Sequence, residues 1–422
     1  MRFFLGLILL LIIALETGMV LFNIYPTAEK RNPIKVGLIF SLSGPRSYKE
    51  FPVQKATLLA IHEINQQGGI FGRQILPIVR DSQSIWEVTQ EKVEELVNIE
   101  QVEVLFGCWA PNELLLKELL EKYGNLLISP YQYVGILSSP HIISVGTSAN
   151  QQVLPTVHYC QKHFGKRFYL VGAQTIYSRL LNVMIKDQVI ATNGEIVEEI
   201  YLSEGSQQID NIVKTIQEKK PNVILNSLNI EESEKLFKKL RNTGIKPSDI
   251  PIVSFTISEL ALQEMNIQEA VGDYATWNYF QSLDTPANLN FVNNFKKFSH
   301  LDFVDNCAEA SYCAVYLWRQ AVNEAGSTHW KALDKIFDDL RIQTPDGSVI
   351  MSMNGLHAWK YVRIGKIREN RQFEIVWSSE QPVRPLPYQT YRSKTEWESL
   401  ALSLQHQLNS SWMGKSGEEI HD

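Results

Sequence analysis

From Ile34 onward the chain alternates short β-branched runs with longer amphipathic stretches. Lys35–Phe40 precedes a helical spacing over Phe51–Gln67; Ile75–Asp81 precedes a second over Trp86–Ile99; Val104–Phe106 follows. The order is βαβαβ, and crossovers of a dozen or more helical residues are what parallel strands require. Gly68, Gly69 and Gly72 stop the first helix, because glycine accepts the left-handed geometry of a helix C-terminus. A further helix over Pro111–Tyr123 and a strand Leu126–Ser129 continue the pattern.

The alternation restarts after Asn150. Helices are expected at Gln151–Phe164, Ile176–Thr192, Gln207–Glu218 and Ile230–Thr243, between strands Phe168–Gly172, Ile196–Leu202, Val223–Asn226 and Ile252–Phe255. This predicts a second parallel sheet. Helices near Ala287–Phe298, Asn306–Ala325 and Trp330–Leu340 follow; Ser348–Trp377 is strand-rich, and the stretch from Glu380 has too little pattern for a domain. The fold class is therefore α/β, with two doubly wound parallel-sheet lobes. No short repeat or low-complexity segment interrupts it.

Ahead of these lobes, Arg2 leads an apolar run from Phe3 to Leu15 that Gly18–Phe22 extends past Glu16 and Thr17. Residues 1–25 read as an export signal or a retained hydrophobic anchor helix. The lack of an A-x-A site and of a Leu-x-x-Cys lipid pattern favours retention. Residues 26–33 form a tether, with Pro26 and Pro33 opposing helix continuation. A periplasmic or extracytoplasmic location follows, with tethering to the inner membrane as its variant.

Composition narrows the function classes. The 422 residues, 44% hydrophobic and 20% charged, suffice for two large cores. A formal charge of -6 offers no basic field for nucleic acid. Four cysteines without C-x-x-C spacing suggest neither a disulfide scaffold nor zinc; Cys307 and Cys313 either pair or sit as small buried residues on one helix. Nothing calls for a metal or cofactor. Neither a G-x-S-x-G elbow, a P-loop, an H-E-x-x-H pair nor a G-x-G-x-x-G fingerprint is present, so the chain is not expected to be an enzyme. His62-Glu63 lacks a second histidine four residues on and reads as a solvated pair.

Lys35-Val-Gly-Leu-Ile-Phe-Ser-Leu-Ser-Gly44 and Ala60-Ile-His-Glu-Ile-Asn-Gln-Gln-Gly-Gly69, with Phe71-Gly-Arg73, resemble the opening of type I periplasmic binding proteins. Phe106-Gly-Cys-Trp109, Ser129-Pro-Tyr-Gln-Tyr133, Ser148-Ala-Asn-Gln-Gln152, Trp277-Asn-Tyr-Phe280, Leu283-Asp-Thr-Pro286 and Pro382–Tyr388 resemble the branch that binds urea and short-chain amides. The resemblance spans roughly Ile34–Arg392. It implies three strands crossing between the lobes: lobe 1 at about 34–150 and 275–345, lobe 2 at about 151–274 and 346–395, and a tail at 396–422. It also implies a solute-binding protein that closes on urea, an amide or an amino-acid-like solute. The partner would be the permease of an ABC transporter; a sensing module reporting to a separate kinase is the alternative.

Ligand then belongs at the carboxyl ends of the strands. Ser41 and Ser43 end the first strand and contact ligand or cap the next helix. Trp109 follows Val104–Phe106, as a cleft aromatic or a packed core side chain. Tyr131 and Tyr133 share a side by period-two spacing, so that at least one faces the cleft unless both pack the crossover. Tyr177, Asn226, Asn229 and Glu231 stand at the matching ends of the second sheet; Asn229 reads equally as a helix cap, and Glu231 matches an acidic position of urea receptors. Pro111, Val134 and Thr175 replace polar residues of the branch, which implies a less polar pocket suited to a larger amide or another small solute.

Overall fold

The computed structural model describes residues 32–109, 113–136, 139–352, 356–389 and 391–408. The expected anchor helix, most of the tether, Pro111 and the last residues of the tail lie outside them. The first sheet holds five parallel strands in the order β2-β1-β3-β4-β5: β1 Ile34–Phe40, β2 Ile75–Asp81, β3 Leu105–Gly107, β4 Leu127–Ser129 and β5 Ile142–Ser144. Helices α1 Ser47–Gln66, α2 Trp86–Glu94 and α3 Glu113–Tyr123 connect them, α2 running on into a π turn at Glu95–Ile99. Val36, Leu38, Phe40, Val104, Phe106 and Ile128 are fully or almost fully buried, as a sheet covered on both faces requires.

Seven strands form the second sheet, in the order β15-β14-β10-β9-β8-β6-β7. Its parallel part comprises β6 Arg167–Ala173, β7 Glu195–Leu202, β8 Val223–Ser227, β9 Ile252–Ser254 and β10 Tyr274–Trp277. The antiparallel strands β14 Arg363–Ile367 and β15 Phe373–Ser378 close one edge. Its helices are α4 Ala149–His163, α5 Ile176–Ala191, α6 Ile209–Lys219, α7 Ile230–Asn242 and the short α8 Glu259–Glu264. The chain then returns to the first lobe through α9 Pro286–Ser299, α10 Asn306–Ala325 and α11 Trp330–Leu333.

Three expectations change. The helix foreseen over Trp330–Leu340 ends at Leu333. Asp334, Asp338 and Asp339 crowd like charges there, and Asp339 adopts a left-handed φ of 60° that ends any helix. The small sheet of β11 Arg341–Thr344, β12 Gly347–Met351 and β13 Ala358–Trp359 packs with the first core through Leu340, Val349, Met351 and Ala358. The second lobe therefore resumes at β14 rather than at residue 346, and its earlier part extends through β10. The tail carries a capped helix, α12 Lys394–Gln407, whose fully buried Trp397 joins the second core. Its Ser393/Glu396 capping box supplies the start signal.

The lobes are joined by three crossings, near Val145–Ala149, Trp277–Thr285 and Ala358–Arg363. Residues remote in sequence pair here. Gln151 donates its amide to the carbonyls of Ala358 and Val383, and Asn150 bonds Arg384 and Leu386. Asn278 donates to the carbonyl of Tyr361. Beneath the crossings lies a buried ionic cluster: Lys360 meets Glu309 at 2.9 Å and Asp346 at 3.7 Å, and Arg363 pairs with Asp346. All four are at most 4% exposed. Burial pushes the Asp346 carboxyl up, against the pull of Arg363 and Lys360. Removing one carboxylate strands a buried cation, which costs far more than the pair contributes. Asp346→Ala is predicted to lower unfolding free energy by about 3 to 5 kcal/mol in urea titrations; a loss under about 1 kcal/mol would contradict this account of the hinge.

Candidate functional site

In an open parallel sheet the crevice opens where strand order reverses, at the carboxyl ends of the two strands flanking the reversal. In the first sheet that point lies between β1 and β3, and in the second between β6 and β8. The residues following these four strands are the candidates.

After β1 the chain is fixed by two carboxylates. Asp81 accepts the amides of Leu42 (2.8 Å), Ser43 (3.3 Å) and Gln83 (2.8 Å) and the Ser43 hydroxyl (2.7 Å). Burial raises the Asp81 pKa, but these donors prevail and leave it lowered. Glu50, in the first turn of α1 and 1% exposed, accepts the Ser41 amide at 2.7 Å and the Arg46 Nε at 3.1 Å. Arg46 is thereby oriented. Its guanidinium lies over the Trp109 ring, 3.5 Å from the centroid, and its two terminal nitrogens donate to none of the described residues. The Trp109 ring reaches this position because Gly107 and Cys108 both take positive φ, 88° and 57°. A Cβ at Gly107 would lie 2.4 Å from the Ile39 carbonyl oxygen.

Tyr131 lies one strand further on, two residues past β4, which pairs with β3. Its hydroxyl is buried without a hydrogen-bond partner among the described residues, and burial, with Glu50 nearby, keeps it protonated well above the usual range. Cys108 and Cys307 lie near enough to act on it, and burial raises both thiols. Lys49, half-buried, is lowered to about 8 by burial and by its neighbour Arg46, with Glu204 after β7 opposing the shift. Tyr48 likewise senses Glu264 and Glu204 of the second lobe. The charges of Glu204 and Glu264 in the second lobe thus act on the first turn of α1.

The remaining sequence candidates have other employment. Ser41 and Ser43 hold the β1 turn through Ser82 and Asp81. Tyr133 is buried in the first crossing, stacked on His357 with its hydroxyl 2.9 Å from the ring Nδ1. Asn226 spends its amide on Ser233, Ser254 and the Leu228 amide inside the second lobe. Asn229 caps α7 through the Glu232 amide. Glu231 is 64% exposed and pairs with Lys235 on the same helix; the buried acid is its neighbour Glu232. Tyr177, after β6, packs partly against the second core, so Tyr177 and Asn229 stand at the second switch point without converging as Arg46, Trp109 and Tyr131 do.

Arg46, Lys49 and Glu50 were missed by sequence reasoning. The available signal was an Arg and a Glu four residues apart, directly after the Ser-Gly-Pro end of the first strand. Cys307 and Cys313 are free thiols on α10, and Cys313 lies 2.8 Å from Glu309. Among the described residues, no His, Cys, Asp and Glu side chains gather as a metal site, and no helix is long and apolar enough to cross a membrane.

Two doubly wound lobes, each with its own switch point and joined by three crossings, define a bilobed α/β binding-protein fold. The chain belongs to the periplasmic binding protein domain family, which it matches over residues 34–394. Solved structures repeat the fold. A solute-binding protein of an ABC transporter from Rhodopseudomonas palustris BisB5, in complex with 3,4-dihydroxybenzoic acid, is 19% identical with a TM-score of 0.74, covering 84% of this chain and 98% of that one. The branched-chain amino acid binding protein LivJ of Streptococcus pneumoniae, in complex with isoleucine, is 19% identical with a TM-score of 0.72, covering 84% and 100%. A leucine-binding protein of Thermotoga maritima gives 15% identity, a TM-score of 0.71 and coverage of 82% and 98%. A curated relative, limonene hydroxylase of Geobacillus stearothermophilus, is 35% identical over 127 residues; the match spans 30% of this chain and 23% of that protein.

His357 supplies a pH test of the hinge. Burial lowers its pKa from 6.5 to about 4, so the unfolded chain takes up the proton first. The stability contributed by the neutral ring is full above 6.5 and lost as pH falls toward 4. The unfolding free energy of wild type minus that of His357→Gln should fall by on the order of 3 kcal/mol from pH 7 to pH 4. A pH-independent difference would show that His357 is not held neutral by the hinge.

Proposed function

We propose that this chain is the extracytoplasmic capture component of an ABC transporter, closing its lobes on one small polar solute seated against Trp109 and Tyr131. One observation carries the reading. At the switch-point end of the first sheet stand a fixed guanidinium, an indole and a buried hydroxyl with no partner among the described residues, and Glu204 of the other lobe is close enough to act on Lys49. A buried hydroxyl without a partner costs about 1 to 3 kcal/mol, which a bound acceptor recovers. Exclusion of water on closure strengthens every polar contact inside.

A urea or short-chain amide carbonyl would accept from Tyr131, and so would a carboxylate of the kind carried by the benzoate and isoleucine of the structural neighbours. Tyr177 and Asn229 are the proposed contacts from the second lobe. The replacements Val134 and Thr175, with the buried thiols of Cys108 and Cys307 near Tyr131, favour a body larger than urea.

Thermal-shift screening against urea, acetamide, formamide, benzoate, 4-hydroxybenzoate, leucine and isoleucine tests this reading. At 100 times its dissociation constant a solute adds about 2.7 kcal/mol, visible as a higher melting temperature. Trp109→Ala should weaken that solute by roughly 10-fold or more while leaving the solute-free melting temperature nearly unchanged, because truncating a half-buried side chain at a cleft edge costs little stability. Silence across the whole panel would contradict the proposal.

A further inference from the structure

Within the crevice, charge is unevenly distributed. Arg46 and Lys49 stand together at the start of α1, where burial and then the Arg46 charge lower the Lys49 pKa, and the one carboxylate among them, Glu50, is already committed to the Ser41 amide and the Arg46 Nε. Glu204 and Glu264 are exposed on the opposite lobe, where water screens them. Arg46 is 24% exposed, so its charge is only partly hydrated.

The orientation of Arg46 matters as much as its charge. Stacking on Trp109 fixes the plane of the guanidinium, and the Nε bond to Glu50 fixes its rotation within that plane. What remains is the edge bearing the two terminal nitrogens, with no acceptor among the described residues. That edge is the fork that receives a carboxylate through two parallel hydrogen bonds. The Tyr131 hydroxyl, near the same guanidinium, is held in its donor form. A neutral amide offers this arrangement one carbonyl oxygen and brings N–H donors that face more donors. A carboxylate offers two acceptor oxygens and the missing negative charge.

Resting on the reading of this crevice as the solute site, we propose that its solute is a carboxylate anion, with Arg46 as the specificity-determining residue that selects acids over their amides. Lys49 reinforces the anion from the rim, and Glu50 positions Arg46 without touching the solute.

The test uses matched pairs that differ only in this group: benzoate and benzamide, acetate and acetamide, L-leucine and L-leucinamide. Each is titrated calorimetrically into the full chain and into Arg46→Met and Arg46→Lys. The expected result is that the acid binds tighter than its amide in every pair that binds. Arg46→Met should weaken the acid by roughly 10- to 100-fold, the value of a charge-assisted hydrogen-bonded pair, and bring acid and amide to parity. Arg46→Lys should restore part of the preference, since it returns the charge without the fork. Amide binding equal to or tighter than acid binding in wild type, or an acid affinity indifferent to Arg46→Met, would overturn the inference while leaving solute capture intact. No heat from any of the six probes would overturn the crevice reading and this inference together.

Discussion

The candidate site depends on one buried carboxylate. Glu50 joins the end of β1, through the Ser41 amide, to the guanidinium of Arg46 four residues before it on the same helix turn. An isolated carboxylate in this position would be costly, and two donors of the right geometry make it tolerable. Through it the first strand, the first helix and the loop after β3 share a rigid corner, since Arg46 in turn covers Trp109. Side chains on strand ends and helix starts are held more precisely than side chains on free loops.

The hinge uses the same chemistry for another purpose. Lys360, Arg363, Asp346 and Glu309 neutralise one another beneath the crossings, drawing members from α10, the β11–β12 turn, the link after β13 and the start of β14. A core of this kind contributes little net stability and strongly penalises any arrangement that leaves a member unpaired. The crossings therefore offer a defined pivot, about which the closure proposed above would rotate the lobes.

Much of the fold was legible because strand and helix periodicities are long and local. The run Lys35–Phe40, the helix Asn306–Ala325 and the parallel second sheet all stand where the alternation put them. The losses were short or tertiary. β5 has three residues, α8 six, and α12 is held by Trp397 entering a core that no local pattern reveals. The site was less legible, for an instructive reason. Several segments that carried the family resemblance, Ser148–Gln152, Trp277–Phe280 and Pro382–Tyr388, pair with one another or with the third crossing at the hinge. They report architecture, not ligand. Asn226 and Tyr133 were drawn into the candidate set by their positions at strand ends, yet they serve packing within one lobe or at the pivot. Arg46 and Lys49 supply positive charge at the first switch point and were passed over because a polar helix start ordinarily reads as solvated surface.

The most direct test of the account is a crystal structure of the chain with the solute that gives the largest thermal shift. The account predicts that solute between the lobes, within hydrogen-bonding distance of the terminal nitrogens of Arg46 and the hydroxyl of Tyr131, and beside the indole of Trp109. Density for the solute elsewhere, with Arg46 still stacked on Trp109 above an empty crevice between closed lobes, would contradict it.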